Sequence, residues 1–242
     1  MILRPNAQCD MLNILGSERF DKDTGQELTQ FYSIDMFKPS RGSQKMNSHK
    51  KMGIDPVRHR NRLTPSLQKK LWEIPPEATD HTPGKLSLCH GLPMMVKYNI
   101  ATECCVTKGA EGVVVGWSAF PIDRYHQGLD VVFVKLINPP CTVQLHGLPK
   151  NVVPIHSVKQ DVFCQLPNDE IITIERMQVQ LLPNFAMTDY SSQRRTRPNN
   201  VVNPSGCATH HSYYTALSHS ASAEGTILLS PIDPTKVTGG IS

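Results

Sequence analysis

A series of β-rich segments between residues 85 and 182 is the feature that most limits how this 242-residue chain can fold. Gly-Leu-Pro, Asn-Pro-Pro and Pro-Asn-Asp turns separate these segments, which are rich in branched apolar residues. Several short strands at this spacing predict a small antiparallel β-barrel over residues 85–182. The predicted strands are 112–117, 130–136, 141–145, 158–166 and 171–182.

Residues 1–18, at the start of the chain, have the pattern of a strand, a turn and a helix. Two apolar residues are followed by Asn6, a suitable N-cap, and then by apolar residues at helical spacing. Gly16 is suited to the C-terminal end of this helix. The segment therefore predicts one unit of an α/β sheet.

The chain returns to α/β character after the predicted barrel, in residues 183–229. A buried strand is predicted over 185–188, a helix over 207–218 and a last strand over 225–229. Residues 230–242 contain two Pro and two Gly, which indicates a loose tail. This order predicts a barrel inserted into an α/β domain.

A polar stretch, residues 19–84, separates the first helix from the barrel and carries most of the positive charge. Residues 38–70 have a net charge of +9, whereas the rest of the chain has −5. We expect most of the stretch to be a loop, with a short strand at 31–34 and a short helix near 63–71. Such a basic segment is typical of a phosphate contact or of a solvated loop, and its lack of aromatic residues favours the loop.

Composition excludes a disordered chain and a chain with a membrane-spanning helix, and the cysteines give little sign of a metal site. Apolar residues make up 39% and charged residues 19% of the chain, unlike a disordered chain. No apolar run approaches the roughly 18–20 residues that span a bilayer, and no signal peptide is evident, so we expect an intracellular protein without a membrane partner. The seven cysteines include no C-x-x-C pair, and Cys207 and His210 lack a second pair to complete a zinc site.

Three further features of the sequence occur in a fixed order. They are residues 3–13 (LRPNAQCDMLN), residues 84–99 (GKLSLCHGLPMMVKYN) with 108–112 (KGAEG), and residues 184–196 (NFAMTDYSSQRRT) with 212–218 (SYYTALS). Together they resemble the C-terminal part of superfamily-one DNA helicases of the Pif (petite integration frequency) type. The resemblance covers about residues 1–230, and it is strongest to degenerate copies in fungal genomes and rolling-circle transposons. It implies an incomplete RecA-like lobe with an inserted small antiparallel β-barrel, and a nuclear location.

Helicases of this family bind ATP and Mg²⁺ between two lobes, one of which carries a Gly-rich phosphate loop ending in Gly-Lys-Ser/Thr. Gly84-Lys85 is the only Gly-Lys pair in this sequence. Leu86 follows it, and Thr79 stands where the first Gly of the loop belongs. We therefore expect no cofactor to be bound by this chain alone and no ATP hydrolysis by it.

The second lobe supplies residues that contact the nucleotide and couple it to DNA. By the resemblance, Gln193 and Thr196 belong to the coupling motif, and His219 occupies the position of the arginine finger. Arg194 replaces the Gly that usually follows the Gln, and an imidazole cannot form the bidentate fork of a guanidinium. We therefore expect a degenerate nucleotide-facing edge with no catalytic residue.

Basic side chains provide the candidates for DNA contact. They are Lys97 and Lys108 in the turn into the barrel, and Arg58, Arg60 and Arg62 in the basic stretch.

Three functions remain open at this point. The first is a truncated, inactive helicase fragment, a pseudoenzyme or transposon remnant, that retains weak affinity for single-stranded DNA. The second is part of an active 5′–3′ DNA helicase whose phosphate-loop lobe is a separate partner. The third is a β-barrel interaction module without a nucleic-acid role.

Overall fold

The computed structural model describes residues 2–3, 6–37, 63–79, 81–165, 171–188, 196–207 and 209–235. Three α-helices lie in these ranges: α1 (Asn6–Thr24), α2 (Pro65–Glu73) and α3 (His210–Ser218). The strands there are β1 (Ile2–Leu3), β2 (Thr29–Tyr32), β3 (Ile34–Phe37), β4 (Lys85–Leu88), β5 (Pro93–Val96), β6 (Glu111–Pro121), β7 (Gln127–Leu136), β8 (Val152–Gln165), β9 (Ile171–Val179), β10 (Leu181–Pro183), β11 (Met187–Thr188), β12 (Asn200–Val202) and β13 (Thr226–Leu228). A mixed α/β fold, as expected from the sequence, is confirmed.

The two ends of the chain meet in a four-stranded parallel sheet with the order β11-β1-β12-β13. Strands β11 and β13 lie within the predicted segments 185–188 and 225–229, and α3 within the predicted helix 207–218. Strand β12 was not predicted, because three residues are too few to show a strand period. All the residues between β1 and β11 are therefore inserted between two neighbouring strands of one sheet.

Helix α1 is longer than the sequence predicted, because Gly16 does not end it. A Cβ at Gly16 would lie 2.4 Å from Cγ of Phe185, so the missing side chain lets Phe185 pack against the helix. The helix continues to Thr24, and Gly25 follows it with a φ of 66°, the left-handed conformation usual after a helix end. Gly16 thus serves packing, and Gly25 serves termination.

The central β-rich block forms a seven-stranded antiparallel sheet rather than a closed barrel. Its order is β10-β5-β6-β7-β8-β9-β3, so β10 and β3 remain its two edges. The long strand β8 turns the sheet, since residues 152–156 pair with β7 and residues 157–165 pair with β9. The predicted strand at 141–145 is irregular, and Pro139, Pro140 and Pro149 on either side of it interrupt the backbone hydrogen bonding.

The polar stretch 19–84 contributes more structure than the sequence predicted. It supplies the last residues of α1, helix α2, and two strands, where one strand at 31–34 was expected. Strand β2 pairs with β4 as a separate ribbon, and β3 joins the large sheet through β9. The predicted loop over residues 38–62 lies outside the described residues.

The main hydrophobic core fills the space between the β2–β4 ribbon and the large sheet. Phe31 of β2 and Leu88 of β4 are fully buried against Val132 and Ile155. The ribbon covers the open side of the sheet, which explains how an unclosed sheet can still enclose a core.

A buried ion pair joins the large sheet to helix α2. Asp35 of β3 and Arg176 of β9 are both 0% exposed, and the guanidinium donates to the two carboxylate oxygens of Asp35 at 2.8 Å each. Arg176 also donates to the carbonyls of Thr82 at 2.7 Å and Leu71 at 3.1 Å. Gln68 of α2 donates its side-chain amide to Asp35 at 3.1 Å. The pair thus satisfies buried polar groups from four separate segments.

Candidate nucleic-acid interface

Lys97 and Lys108 lie at the two ends of one turn, residues 97–108, which connects β5 to β6. The turn is closed at its base because the N–H of Lys108 donates to Oδ1 of Asn99 at 2.8 Å. Gly109, with a φ of 85°, donates its N–H to the carbonyl of Val96 at 2.7 Å, beside Lys97. The two lysines that the sequence nominated in this turn therefore lie at its base, one on each side.

Tyr98 adds an aromatic ring to this turn, and the sequence analysis missed it. Its side chain is 37% exposed, and the Lys97 ammonium lies 4.6 Å from the centre of the ring. Gln160 of β8 donates to the Tyr98 hydroxyl at 2.9 Å, which holds the ring in place. A positive charge beside a partly exposed aromatic ring is the arrangement by which proteins bind phosphates and stack single-stranded bases. Its place directly after Lys97 in the sequence was the signal that could have identified Tyr98.

Lys97 is anchored to the interior of the sheet. Its Nζ donates to Oγ1 of Thr82 at 2.7 Å, and the carbonyl of Thr82 accepts from the buried Arg176. Thr82 therefore links the Lys97 ammonium to the ion pair between Asp35 and Arg176.

Thr196 and His219 meet at the edge where the parallel sheet contacts the large sheet. Thr196 is exposed, and the N–H of the following residue, Arg197, donates to the His219 carbonyl at 2.7 Å. Arg197 also forms an ion pair with Glu111 of β6. The His219 side chain is only 5% exposed, so its imidazole does not reach the surface at this edge. Arg197, which the sequence analysis missed, is the residue that joins the two sheets here.

Four of the nominated residues lie outside the described residues: Gln193, Arg58, Arg60 and Arg62. Their assignments, to a nucleotide-facing edge and to DNA contact, stay predictions.

A second surface with aromatic and basic side chains lies beside α2. Tyr32, Trp72 and His126 pack as a trio with ring centres 4.6–4.7 Å apart. They line a cleft of about 920 Å³, together with Lys69 and Lys70 from the end of the basic segment 38–70. We call this surface the aromatic cleft.

The tip of the β6–β7 hairpin is fixed next to the aromatic cleft. Asp123 accepts hydrogen bonds from the N–H groups of Tyr125 at 2.7 Å and His126 at 2.9 Å, and from the His126 ring at 2.8 Å. The Tyr125 and His126 hydrogen bonds lower the pKa of Asp123, so the carboxylate stays ionised and keeps the turn together. Tyr125 itself is 80% exposed at this tip.

Gly84-Lys85 has a structural role and is not a phosphate loop. A Cβ on Gly84 would lie 2.7 Å from the Cα of Trp72, so the missing side chain permits close packing against α2. Lys85 lies in β4, and its ammonium pairs with Glu73 at 2.9 Å. Among the described residues, neither Gly84-Lys85 nor the buried imidazole of His219 is therefore placed to hold ATP and Mg²⁺.

In the part of the chain that the structure describes, no group of three or more His, Cys, Asp or Glu side chains is arranged to hold a metal ion. None of the helices described has the length and apolar character to cross a membrane.

The architecture defines a class: a lobe with a parallel sheet, interrupted between two neighbouring strands by a large antiparallel sheet. No protein-family model matches the sequence, and no curated protein matches it. Solved structures of Pif1 helicases share the fold. The Pif1 helicase from Candida albicans is 18% identical, with a TM-score of 0.55 over 98% of this chain. The Pif1 helicase from Bacteroides, in complex with ADP-AlF3 and single-stranded DNA, is 16% identical, with a TM-score of 0.55 over 98% of this chain.

The resemblance to Pif-type helicases is thereby confirmed at the level of the fold. This chain spans less than half of each relative, 46% of the Candida albicans chain and 41% of the Bacteroides chain. The likeness therefore concerns a part of those proteins.

Proposed function

We propose that this chain is a helicase-like fragment, corresponding to the second RecA-like lobe and inserted sheet of a Pif1 helicase, which binds single-stranded DNA weakly. The observation that carries the proposal is the 97–108 turn, where Lys97, Tyr98 and Lys108 lie together in a fold shared with Pif1 helicases over 98% of the chain. The Bacteroides relative contains single-stranded DNA, which supports the choice of partner.

The expected strength of binding follows from the two kinds of contact that the turn offers. Two lysines that neutralise phosphates give a slope of roughly −1.4 in log K against log salt concentration for a single strand. Stacking of one base on Tyr98 adds about 1–3 kcal/mol and is insensitive to sequence. Binding is therefore weak, independent of sequence and strongest at low salt. Arg58, Arg60 and Arg62 make the slope steeper if they also contact the strand.

The test is a fluorescence anisotropy titration of labelled oligothymidylate across a salt series. We expect Tyr98→Leu and Lys108→Gln each to weaken binding several-fold, and Lys108→Gln to reduce the salt slope by about 0.7. Lys22→Gln, which removes an exposed lysine near the end of α1, is the matched control and leaves affinity nearly unchanged. Absence of binding at low salt, or an affinity independent of salt, would show the DNA assignment to be wrong.

The aromatic cleft is a second candidate surface for the same strand, favoured by its three rings and two lysines. Tyr125→Leu, which changes the exposed neighbour of the cleft residue His126, distinguishes the two surfaces. If Tyr125→Leu weakens binding and Tyr98→Leu does not, the strand binds at the cleft.

We also propose that the chain by itself does not hydrolyse ATP, since it offers no phosphate loop and His219 is buried. The measurement is phosphate release with single-stranded DNA present, against a control without protein. His219→Arg does not restore turnover, because the phosphate loop is still missing. Release above the control would instead favour part of an active 5′–3′ helicase, whose phosphate-loop lobe belongs to a separate segment or chain.

A pseudoenzyme left by a fungal-like helicase or a rolling-circle transposon, acting in the nucleus, accounts for the replaced residues Arg194 and His219. Fractionation of cells that express the chain tests the nuclear location. An interaction module without a nucleic-acid role is the outcome indicated if no DNA binding is found.

A further inference from the structure

Two cysteine thiols face each other on the side of the large sheet next to Thr196 and Arg197. Cys105 lies at the end of the 97–108 turn, and Cys141 lies in the irregular segment after β7. Their sulfur atoms are 3.1 Å apart, although the residues are 36 positions apart in sequence. Cys105 is buried, whereas Cys141 is exposed to solvent. The pair is therefore both close enough to react and accessible to a small reagent.

The backbone at Cys105 is held in an unusual conformation. Its φ is 58°, in the left-handed region that residues other than Gly, Asn and Asp seldom adopt. The N–H of Cys105 donates to the carbonyl of Thr102, and the N–H of Cys104 to that of Ala101, both at 3.1 Å, which keeps the turn in this shape. Strain of this kind occurs where a side chain must be kept in a particular place.

We propose that Cys105 and Cys141 are a redox-sensitive pair that forms a reversible disulfide when the protein meets a hydroperoxide. This inference goes beyond the proposed function and does not depend on it. The resting state is the dithiol: a hydrogen bond with Cys105 and the proximity of its charge raise the pKa of Cys141 above its ordinary value of 9.0. A raised pKa leaves only a small thiolate fraction at neutral pH, so the pair rests as the dithiol and its reaction with peroxide is slow.

The reaction proceeds in two steps. The small fraction of Cys141 present as thiolate attacks one oxygen of hydrogen peroxide and the O–O bond breaks. The hydroxide that leaves takes up the proton lost by the thiol, so the products are a sulfenic acid and water. Sγ of Cys105 then attacks Sγ of Cys141, so that the S–S bond forms and the S–O bond breaks with release of a second water. The two thiols lose two electrons, which reduce the peroxide. A dithiol reductant reverses the change.

The bond would join the turn that carries Lys97 and Lys108 to the segment between β7 and β8. It closes a loop of 36 residues, which restricts the unfolded chain. We expect the oxidised protein to melt at a temperature higher by roughly 5–10 °C.

The test uses the full chain, treated with hydrogen peroxide and then alkylated. The expected result is an intact mass showing two fewer alkylated thiols, a cross-linked peptide containing Cys105 and Cys141, and recovery of both thiols with dithiothreitol. Cys104→Ser, which removes the adjacent thiol, retains the change. Cys105→Ser and Cys141→Ser each abolish it.

Three outcomes would overturn the proposal. One is no loss of thiols in the wild-type protein at peroxide concentrations that oxidise free cysteine. Another is a cross-link that involves Cys104 and persists in Cys105→Ser. The third is oxidation of Cys141 alone to the sulfinic acid. All readouts are thiol chemistry, so they are independent of whether the chain binds DNA.

Discussion

Replacing Arg176 with methionine tests whether the buried ion pair holds helix α2 against the large sheet. The substitution removes the donor of four hydrogen bonds and leaves the carboxylate of Asp35, 0% exposed, without its counter-charge. Among the described residues, Ser33, at 2.9 Å, and Gln68, at 3.1 Å, would still donate side-chain hydrogen bonds to that carboxylate. The carbonyls of Thr82 and Leu71 lose their Arg176 hydrogen bonds at the same time.

Removing one partner of a buried ion pair costs about 3–5 kcal/mol, because the remaining charge has no compensation. A folded domain has a total stability of about 5–15 kcal/mol, so the loss is a large fraction of it. For a chain of this size, about 2–4 °C of melting temperature corresponds to each kcal/mol. We therefore expect Arg176→Met to melt roughly 6–20 °C below the wild type.

The assay is unfolding followed by tryptophan fluorescence, with urea for the free energy of unfolding and with heat for the melting temperature. Trp72 reports directly, since its indole N–H donates to the carbonyl of Ser33 at 2.9 Å, two residues from Asp35. Lys159→Met is the matched control, because it removes a cation of an exposed pair in the same sheet, Lys159 with Glu175 at 2.9 Å. Such surface pairs contribute about 0–1 kcal/mol.

A double variant separates the charge effect from packing. Asp35→Leu with Arg176→Met removes both charges, and we expect it to be more stable than either single variant, since no unpaired charge stays buried. Equal losses for Arg176→Met and Lys159→Met, or a double variant whose loss equals the sum of the single losses, would refute the reasoning.

Two other positions allow sharp predictions. Gly84→Ala places a methyl group 2.7 Å from the Cα of Trp72 and is expected to cost about 1–3 kcal/mol in chemical denaturation, whereas Gly116→Ala, with nothing within 4 Å, stays within about 0.5 kcal/mol. Burial raises the pKa of Asp10 above 3.8, although the neighbouring His81 opposes the shift. The folded state therefore holds the Asp10 proton more tightly, and stability falls as the pH rises from the unfolded pKa through the raised one. Asp10→Asn removes this decline, so unfolding measured at acidic and neutral pH should show the variant gaining on the wild type as the pH increases; an unchanged difference would contradict the sign of the shift.

The sequence predicted the elements whose signals are local. Helix α2 begins at Pro65 after Thr64, whose side chain accepts from the N–H of Leu67, and it ends before Pro75. These are capping and helix-ending signals that a short window contains. The prediction that Gly16 ends the first helix was wrong. Gly16 packs against Phe185, 169 positions away, and α1 continues to Thr24.

The candidate site was only partly predictable for the same reason. Lys97 and Lys108 are basic residues in a segment that resembles Pif-type helicases, but their proximity depends on how the 97–108 turn closes. The hydrogen bond from Gln160 to the Tyr98 hydroxyl joins residues 62 positions apart, and no short sequence window contains both. The same holds for Arg197, whose ion pair with Glu111 joins residues 86 positions apart.

The sequence by itself determined the order of the fold, with α/β segments around a β-rich block, and the lack of a phosphate loop among these residues. Both are read from consecutive residues, whose spacing and turn chemistry act locally. Tertiary structure alone decided that the central sheet keeps two edges, that Asp35 finds Arg176, and that Cys105 meets Cys141. Those outcomes depend on long-range pairing, in which many distant partners are compatible with the same local pattern and only packing of the whole chain selects one.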